Sequence, residues 1–148
     1  MMSEKVSIID ATNLILGRMA SIVAKRALEG ERIVIINAEK AIVSGGRTSI
    51  VENAKHSLRT RTLGSLEKGP THPRRPDRYV KRAIRGMLPK KKHSGKEALK
   101  RIKVYTGIPE EFRGKQSQRI SEAESSKLRC RYLTIQELTK EIGGTGGL

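Results

Sequence analysis

The chain has 148 residues, enough for one domain with a single hydrophobic core. Its formal net charge of +16 predicts a polyanionic partner, and its 3% aromatic content argues against RNA recognition by stacked aromatic rings. No apolar run approaches the length of a membrane span, and a single cysteine excludes an intramolecular disulfide. We therefore expect a cytoplasmic protein.

Residues 6–36 predict a strand, a helix and a second strand. A β-type run at 6–10 is followed by apolar residues at helical spacing over 16–28, and Gly30 supplies a helix stop. The continuous β-branched run at 33–36 predicts a strand buried on both faces of a parallel sheet. Short connections between these elements favour a βαβ unit.

The later elements follow from similar signals. Residues 38–43 fit either a helical turn or a strand, and a helix is predicted over 48–59. The further predicted elements are a basic helix at 78–87, a helix at 94–101 with a Ser94/Glu97 capping box, a strand at 102–105, a candidate last strand at 129–133, and a helix from a Thr134/Glu137 capping box to 142.

Positive charge is concentrated in residues 55–103. This stretch holds 17 of the 31 Lys and Arg residues but only 3 of the 15 acidic residues, and it also contains four of the five prolines. Such a segment cannot bury itself, so we predict that it binds a polyanion. A membrane surface is disfavoured because the segment lacks a wide apolar face. An irregular basic extension suits folded RNA better than a duplex groove, although charge alone does not separate RNA from DNA.

Enzyme and metal signatures are absent from the sequence. Neither a G-x-G-x-x-G turn nor a P-loop follows a predicted strand. His56, His72, His93 and Cys130 lack zinc-ligand spacing. We therefore predict no catalytic residue, no metal, no cofactor and no small-molecule substrate.

Three isolated features have simpler interpretations than catalysis. Asp10 is predicted to cap either a helix start or a turn after the first strand, and Cys130 to be a small buried residue. The turn at 44–47, Ser-Gly-Gly-Arg, is either a phosphate contact at a helix start or a loop that needs positive φ.

Four ordered sequence blocks resemble one known family. The segment 84–89, Ile-Arg-Gly-Met-Leu-Pro, is followed by Gly95 and by Ile-Lys-Val-Tyr-Thr-Gly at 102–107. This pattern is similar to the signature of the ribosomal protein thirteen family of the large subunit. Blocks at 9–21 and 34–45 resemble the same family, and the insert at 70–78 resembles its archaeal and eukaryotic branch, so an archaeal source is expected. The motif residues are Gly17, Gly45, Gly86, Met87, Leu88, Pro89 and Gly107.

The resemblance implies a three-layer α/β/α domain around a four-stranded, mainly parallel sheet with a long basic extension. Residues 1–148 would form one domain, with a globular core at about 1–60 and 94–142 and a basic arm at about 61–93. The function implied is a structural constituent of the large ribosomal subunit that binds ribosomal RNA and neighbouring ribosomal proteins and acts early in assembly. The alternative is a free RNA-binding translational regulator of the same fold, with messenger RNA as a further candidate partner. By position, the expected RNA-binding residues are Arg18, Arg47, Arg59, Arg61, Arg74, Arg75, Arg78, Lys81, Arg82, Arg85, Lys90, Lys91, Lys92 and Lys96.

Overall fold

A parallel sheet of three strands forms the centre of the molecule in a computed structural model that describes residues 6–144. Five α-helices, a separate two-stranded ribbon and five short 3-10 turns complete the secondary structure of the described residues. In chain order the elements are β1 (Val6–Asp10), α1 (Leu16–Leu28), β2 (Arg32–Ile36), β3 (Ile42–Ser44), α2 (Arg47–Arg59), α3 (Pro76–Met87), α4 (His93–Lys100), β4 (Ile102–Val104), β5 (Tyr132–Thr134) and α5 (Ile135–Glu141).

The central sheet has the order β1-β2-β4, and both strand pairings are parallel. In its register Ile8 lies beside Val34, and Val34 lies beside Lys103. Four consecutive residues of β2, from Ile33 to Ile36, are buried. The predicted βαβ unit and the strand buried on both faces are therefore confirmed.

Helices pack against one face of this sheet. The predicted apolar stripe of α1 is buried except for Leu28 at its end, which is 43% exposed. The buried residues share one hydrophobic cluster with Ile9, Ile35, Val80 and Ile84. On the other face, Ile8 and its neighbours in β2 contact Tyr105 and Phe112, whose ring centroids are 5.8 Å apart. The second helical layer of the predicted three-layer arrangement is not confirmed.

The two remaining strands form a small antiparallel ribbon rather than extending the central sheet. In this ribbon β3 pairs with β5, and Ser44 lies opposite Tyr132. The central sheet therefore has three strands, and the predicted four are not confirmed. The reason is local: Asn37 adopts a left-handed φ of 54°, and a 3-10 turn at Ala38–Lys40 redirects the chain away from β2 before β3 begins.

The predicted basic arm, residues 61–93, has two structurally different parts. Its helix begins at Pro76, and Val80 and Ile84 on that helix point into the core, each with 0% solvent accessibility. The preceding part contains only a 3-10 turn at Leu66–Lys68 and leaves Leu63 93% exposed. The helical part of the arm is thus anchored in the hydrophobic core.

Of three sequence predictions in the C-terminal half of the chain, one is confirmed and two are wrong. The Thr134/Glu137 capping box is present with both of its hydrogen bonds. The Ser94 box is wrong because the turn that begins at Pro89 runs directly into α4, and Lys92 becomes the N-cap. The predicted burial of Cys130 is also wrong, since this cysteine is exposed.

Candidate nucleic-acid interface

Six cationic side chains line one open groove beside α3, which we call the basic groove. It has a volume of about 570 Å³, and the rest of its lining comes from residues 71–73 and Leu99. None of the six cations is buried, so all of them can reach a ligand in the groove. They are Arg74, Arg75, Arg78, Lys81, Arg82 and Arg85.

The helical repeat of α3 separates a charged face from a buried face. Arg78, Lys81 and Arg85 recur at i, i+3 and i+7, so they project from the same side of the helix. Val80 and Ile84 point into the hydrophobic cluster that contains α1. Since core packing fixes the orientation of α3, the charges of the basic groove are positioned before any ligand binds.

The chain that leads into α3 is attached to its surroundings. The Arg82 guanidinium donates a hydrogen bond to the backbone carbonyl of Thr71. A Cβ atom on Gly144 would overlap the backbone carbonyl of Arg74, so the two segments pass very close to each other. These contacts hold the N-terminal wall of the basic groove against the rest of the domain.

The basic groove carries a large surplus of positive charge. Within the described residues no acidic side chain lines it. Asp77 is the nearby acid, with one carboxylate oxygen 3.4 Å from an Arg75 guanidinium nitrogen in a solvent-exposed pair. Exposed pairs of this kind contribute at most about 1 kcal/mol. The remaining cations repel each other and favour a ligand with several negative charges.

An adjoining groove extends the same surface toward the central sheet. Arg78 and Lys81 line both grooves, and the second one also contains Lys103, Tyr105 and the acidic Asp77. Lys103 was missed by the analysis of the sequence. Its exposed position between Ile102 and Val104 in β4 follows the alternation of a strand, which was the available signal.

The other predicted RNA-binding residues do not line the basic groove. All of them are exposed. Arg47 is already paired with Glu141, at 2.6 Å between a guanidinium nitrogen and a carboxylate oxygen. The predicted residues outside the groove are Arg18, Arg47, Arg59, Arg61, Lys90, Lys91, Lys92 and Lys96.

The motif residues near the end of α3 have different structural roles. Leu88 is buried, whereas Met87 is 45% exposed and only partly anchors the turn. Gly95 belongs to the family pattern although it was not among the predicted motif residues, and packing requires it because a Cβ atom there would overlap the carbonyl of Pro89. Among the other motif glycines, Gly45 and Gly107 have positive φ values of 130° and 68°, a conformation that favours glycine. Gly17 and Gly86 are not required by packing, because a Cβ atom at either position would meet open space.

Comparison with known proteins identifies the family. The model of the family described as Ribosomal protein L13 matches residues 4–111, which include every residue that lines the basic groove. This chain belongs to the ribosomal protein L13 family.

Curated relatives extend the likeness over nearly the whole chain. The large ribosomal subunit protein uL13 of Archaeoglobus fulgidus is 41% identical over 98% of this chain and 92% of the relative. The protein of the same name from Methanopyrus kandleri is 45% identical over 95% of this chain and 88% of the relative. That from Saccharolobus solfataricus is 42% identical over 97% and 96% of the two chains. All three organisms are archaea, in agreement with the predicted branch.

Asp10 has a structural role in this member of the L13 family. One of its carboxylate oxygens accepts hydrogen bonds from the Thr12 backbone N–H at 3.0 Å, the Thr12 hydroxyl at 2.7 Å and the Asn37 amide at 3.1 Å. Burial acts to raise the pKa of this carboxyl, but these hydrogen bonds and the charge of Arg119 together lower it. The predicted turn cap is confirmed.

Membership of the L13 family makes this a structural protein and not an enzyme. Across residues 6–144, no group of three or more His, Cys, Asp and Glu side chains is arranged to hold a metal ion. In the same range, no helix is both long enough and apolar enough to cross a bilayer.

Proposed function

We propose that this chain is a structural constituent of the large ribosomal subunit in the cytoplasm, where its basic groove binds ribosomal RNA. The observation that carries the proposal is the convergence of six cationic side chains on one groove that no described acidic side chain lines. Phosphate contacts of this kind position a protein on RNA without reading its sequence. The names of the curated relatives support the ribosomal setting.

The groove acts by positioning and charge neutralisation. Because α3 is fixed by Val80 and Ile84, its cations lose little conformational freedom when they contact phosphates. In this way the protein would hold ribosomal RNA against one rigid surface. No cofactor and no small-molecule substrate takes part.

The predicted cations outside the groove would add further phosphate contacts. Lys90, Lys91 and Lys92 follow the buried Leu88 closely, so they project from a fixed starting point. We propose that residues 1–148 form one domain and that the whole segment 61–93 contacts RNA, with the helix of that segment packed in the hydrophobic core. Neighbouring ribosomal proteins, an additional layer over the Tyr105 and Phe112 face of the sheet, and a role early in subunit assembly belong to the same proposal.

Charge reversal in the groove tests this function. The triple variant Arg78→Glu, Lys81→Glu, Arg85→Glu should keep its circular dichroism spectrum but lose most of its incorporation into large subunits, measured by co-sedimentation. The matched control reverses Lys25, Lys40 and Lys140, which are exposed and lie outside the groove. Equal loss from both sets would mean that net charge, and not this groove, determines incorporation.

Fractionation of a native lysate separates the proposal from a free translational regulator that binds messenger RNA. A ribosomal constituent should sediment with large subunits at moderate salt and be released at high salt, because phosphate contacts weaken as salt rises. A mostly free pool at moderate salt would favour the regulator.

A further inference from the structure

A second basic surface lies at residues 127–132, which we call the basic strip. Lys127, Arg129 and Arg131 are all exposed, and the sequence has no acidic residue between 125 and 136. None of these three residues lines the basic groove or was among the predicted RNA-binding residues. The strip is also outside residues 4–111, which the family model matches.

Tyr132 distinguishes the basic strip from an ordinary charged surface. Its side chain is 53% exposed, whereas Tyr79, Tyr105 and Phe112 are each partly buried. Exposed aromatic rings beside cations are the usual means by which proteins stack unpaired bases. The strip therefore places an exposed aromatic ring in the same short segment as three exposed cations, whereas no Phe, Tyr or Trp side chain lines the basic groove within the described residues.

Strand pairing and packing fix the backbone at Tyr132. It lies in β5 opposite Ser44, and the next residue along the strand, Leu133, is buried. The backbone N–H of Gly45 donates a hydrogen bond of 2.7 Å to the carbonyl of Arg131. Since the ring is carried by a paired strand, a base that stacks on it does not have to order the backbone first.

The cations of the strip are available for a ligand. Within residues 6–144, the side chains of Lys127, Arg129 and Arg131 form no hydrogen bond or ion pair with the protein. The nearby Arg47 differs, because Glu141 already neutralises it. In that described part of the chain, the strip therefore presents three positive charges that no acidic side chain neutralises by direct contact.

We propose that the basic strip binds an unpaired segment of RNA, with a base stacked on Tyr132 and the flanking phosphates neutralised by Arg129, Arg131 and Lys127. The proposal rests on the proposed RNA-binding function and adds a second contact of a different chemical kind. An unpaired segment is required because the base faces of a duplex are already stacked on each other. A single site of this kind is compatible with the low aromatic content of the chain, since one ring is enough for one base.

A single-tryptophan variant tests the stacking directly. The chain contains no tryptophan, so Tyr132→Trp provides the only indole fluorophore. Titration of the full-length variant with an unstructured uridine oligonucleotide should quench this fluorescence strongly, and a blunt duplex RNA of the same length should quench it much less. Phe112→Trp, which replaces a partly buried ring that contacts Tyr105 and lines neither of the two grooves, is the control. Equal quenching at both positions, or none at position 132, would overturn the proposal.

Affinity measurements separate this surface from the basic groove. Tyr132→Ala should weaken binding of the uridine oligonucleotide by roughly 5- to 100-fold, and Tyr132→Phe should retain most of the affinity because it keeps the ring. Arg129→Gln with Arg131→Gln should lower the slope of log affinity against log salt by about 1.4. When the groove substitutions are combined with Tyr132→Trp, affinity for large-subunit RNA should fall while the oligonucleotide still quenches the indole at position 132.

Each combination of results has a distinct meaning. If the groove variant loses subunit incorporation but Tyr132→Ala leaves the affinity for the uridine oligonucleotide unchanged, the proposed function stands. The proposal that the basic strip binds RNA is then overturned. Protection of residues 127–132 from hydrogen exchange in the subunit without a photochemical crosslink from Tyr132 to RNA would indicate a protein partner, and would overturn it too. A crosslink from Tyr132 to an unpaired nucleotide supports it.

Discussion

The two parts of the basic arm have similar charge but different structural support. Residues 61–75 contain few apolar side chains, and Leu63 and Leu66 remain largely exposed. In α3, Val80 and Ile84 recur at helical spacing, and both are completely buried. The cations of α3 therefore have a fixed arrangement, which the charge of the segment alone does not provide. Two buried residues, rather than the number of arginines, make the difference.

The largest expected effect comes from removing this anchor. Ile84→Ala should lower the free energy of unfolding by about 2–5 kcal/mol, because it opens a cavity at a fully buried position. Urea denaturation followed by circular dichroism measures this. The matched change in the other part, Leu63→Ala, should stay within about 0.5 kcal/mol since Leu63 is 93% exposed. A comparable loss at both positions would show that residues 61–75 also pack on the domain.

Alanine substitutions at Gly86, near the end of α3, and at Gly95, in α4, should change stability by smaller amounts and in opposite directions. Gly95→Ala should destabilise the fold by about 1–3 kcal/mol, because the new methyl group overlaps the backbone carbonyl of Pro89. Gly86→Ala should stabilise it by about 0.5–1 kcal/mol, because the position is helical and a Cβ atom there meets open space. Thermal unfolding distinguishes the two signs. If Gly86→Ala leaves stability unchanged or raised but weakens RNA binding, the open space beside Gly86 is occupied by RNA in the complex.

The smallest expected effect lies at Asp10, outside both parts of the arm. Asp10→Asn should cost about 1 kcal/mol at neutral pH, because the hydrogen bonds from Thr12 and Asn37 would no longer go to a charged group. The folded-state pKa of Asp10 is lowered, so its contribution is present above its unfolded-state pKa and is lost as pH falls through the folded value. The difference in free energy of unfolding between the wild type and the variant should therefore become smaller in acid. A gap that is constant with pH, or a change in RNA affinity at neutral pH, would contradict this purely structural role.

Local sequence patterns predicted most of the helices and strands. The apolar spacing of α1, the β-branched run of β2 and the Thr134/Glu137 pair each depend on neighbours within a few residues, and the structure confirms all three. The pairing of β5 was not predictable in this way. It depends on the redirection of the chain at Asn37, a residue whose left-handed φ has no unambiguous sequence signal.

The candidate interface was only partly predictable for the same reason. Sequence spacing places Arg78, Lys81 and Arg85 on one side of a helix, but it does not say that Arg74 and Arg75 line the same groove. The importance of Gly95 depends on the path of Pro89, which precedes it in a turn. The exposure of Cys130 and Tyr132 depends on the pairing of β5 with β3 and on which other parts of the chain cover this ribbon.

Helix α3 packs in the hydrophobic core and also carries cations of the basic groove. Salt should therefore act in opposite directions on two equilibria, the folding of the free protein and its binding to RNA. In the free protein, folding brings six like charges around the groove, and dissolved ions screen their mutual repulsion. In the complex, RNA phosphates replace those ions, and added salt competes with them. Ionic strength would therefore favour the folded free protein while it releases the protein from RNA, so a high-salt wash should yield free protein that keeps its fold.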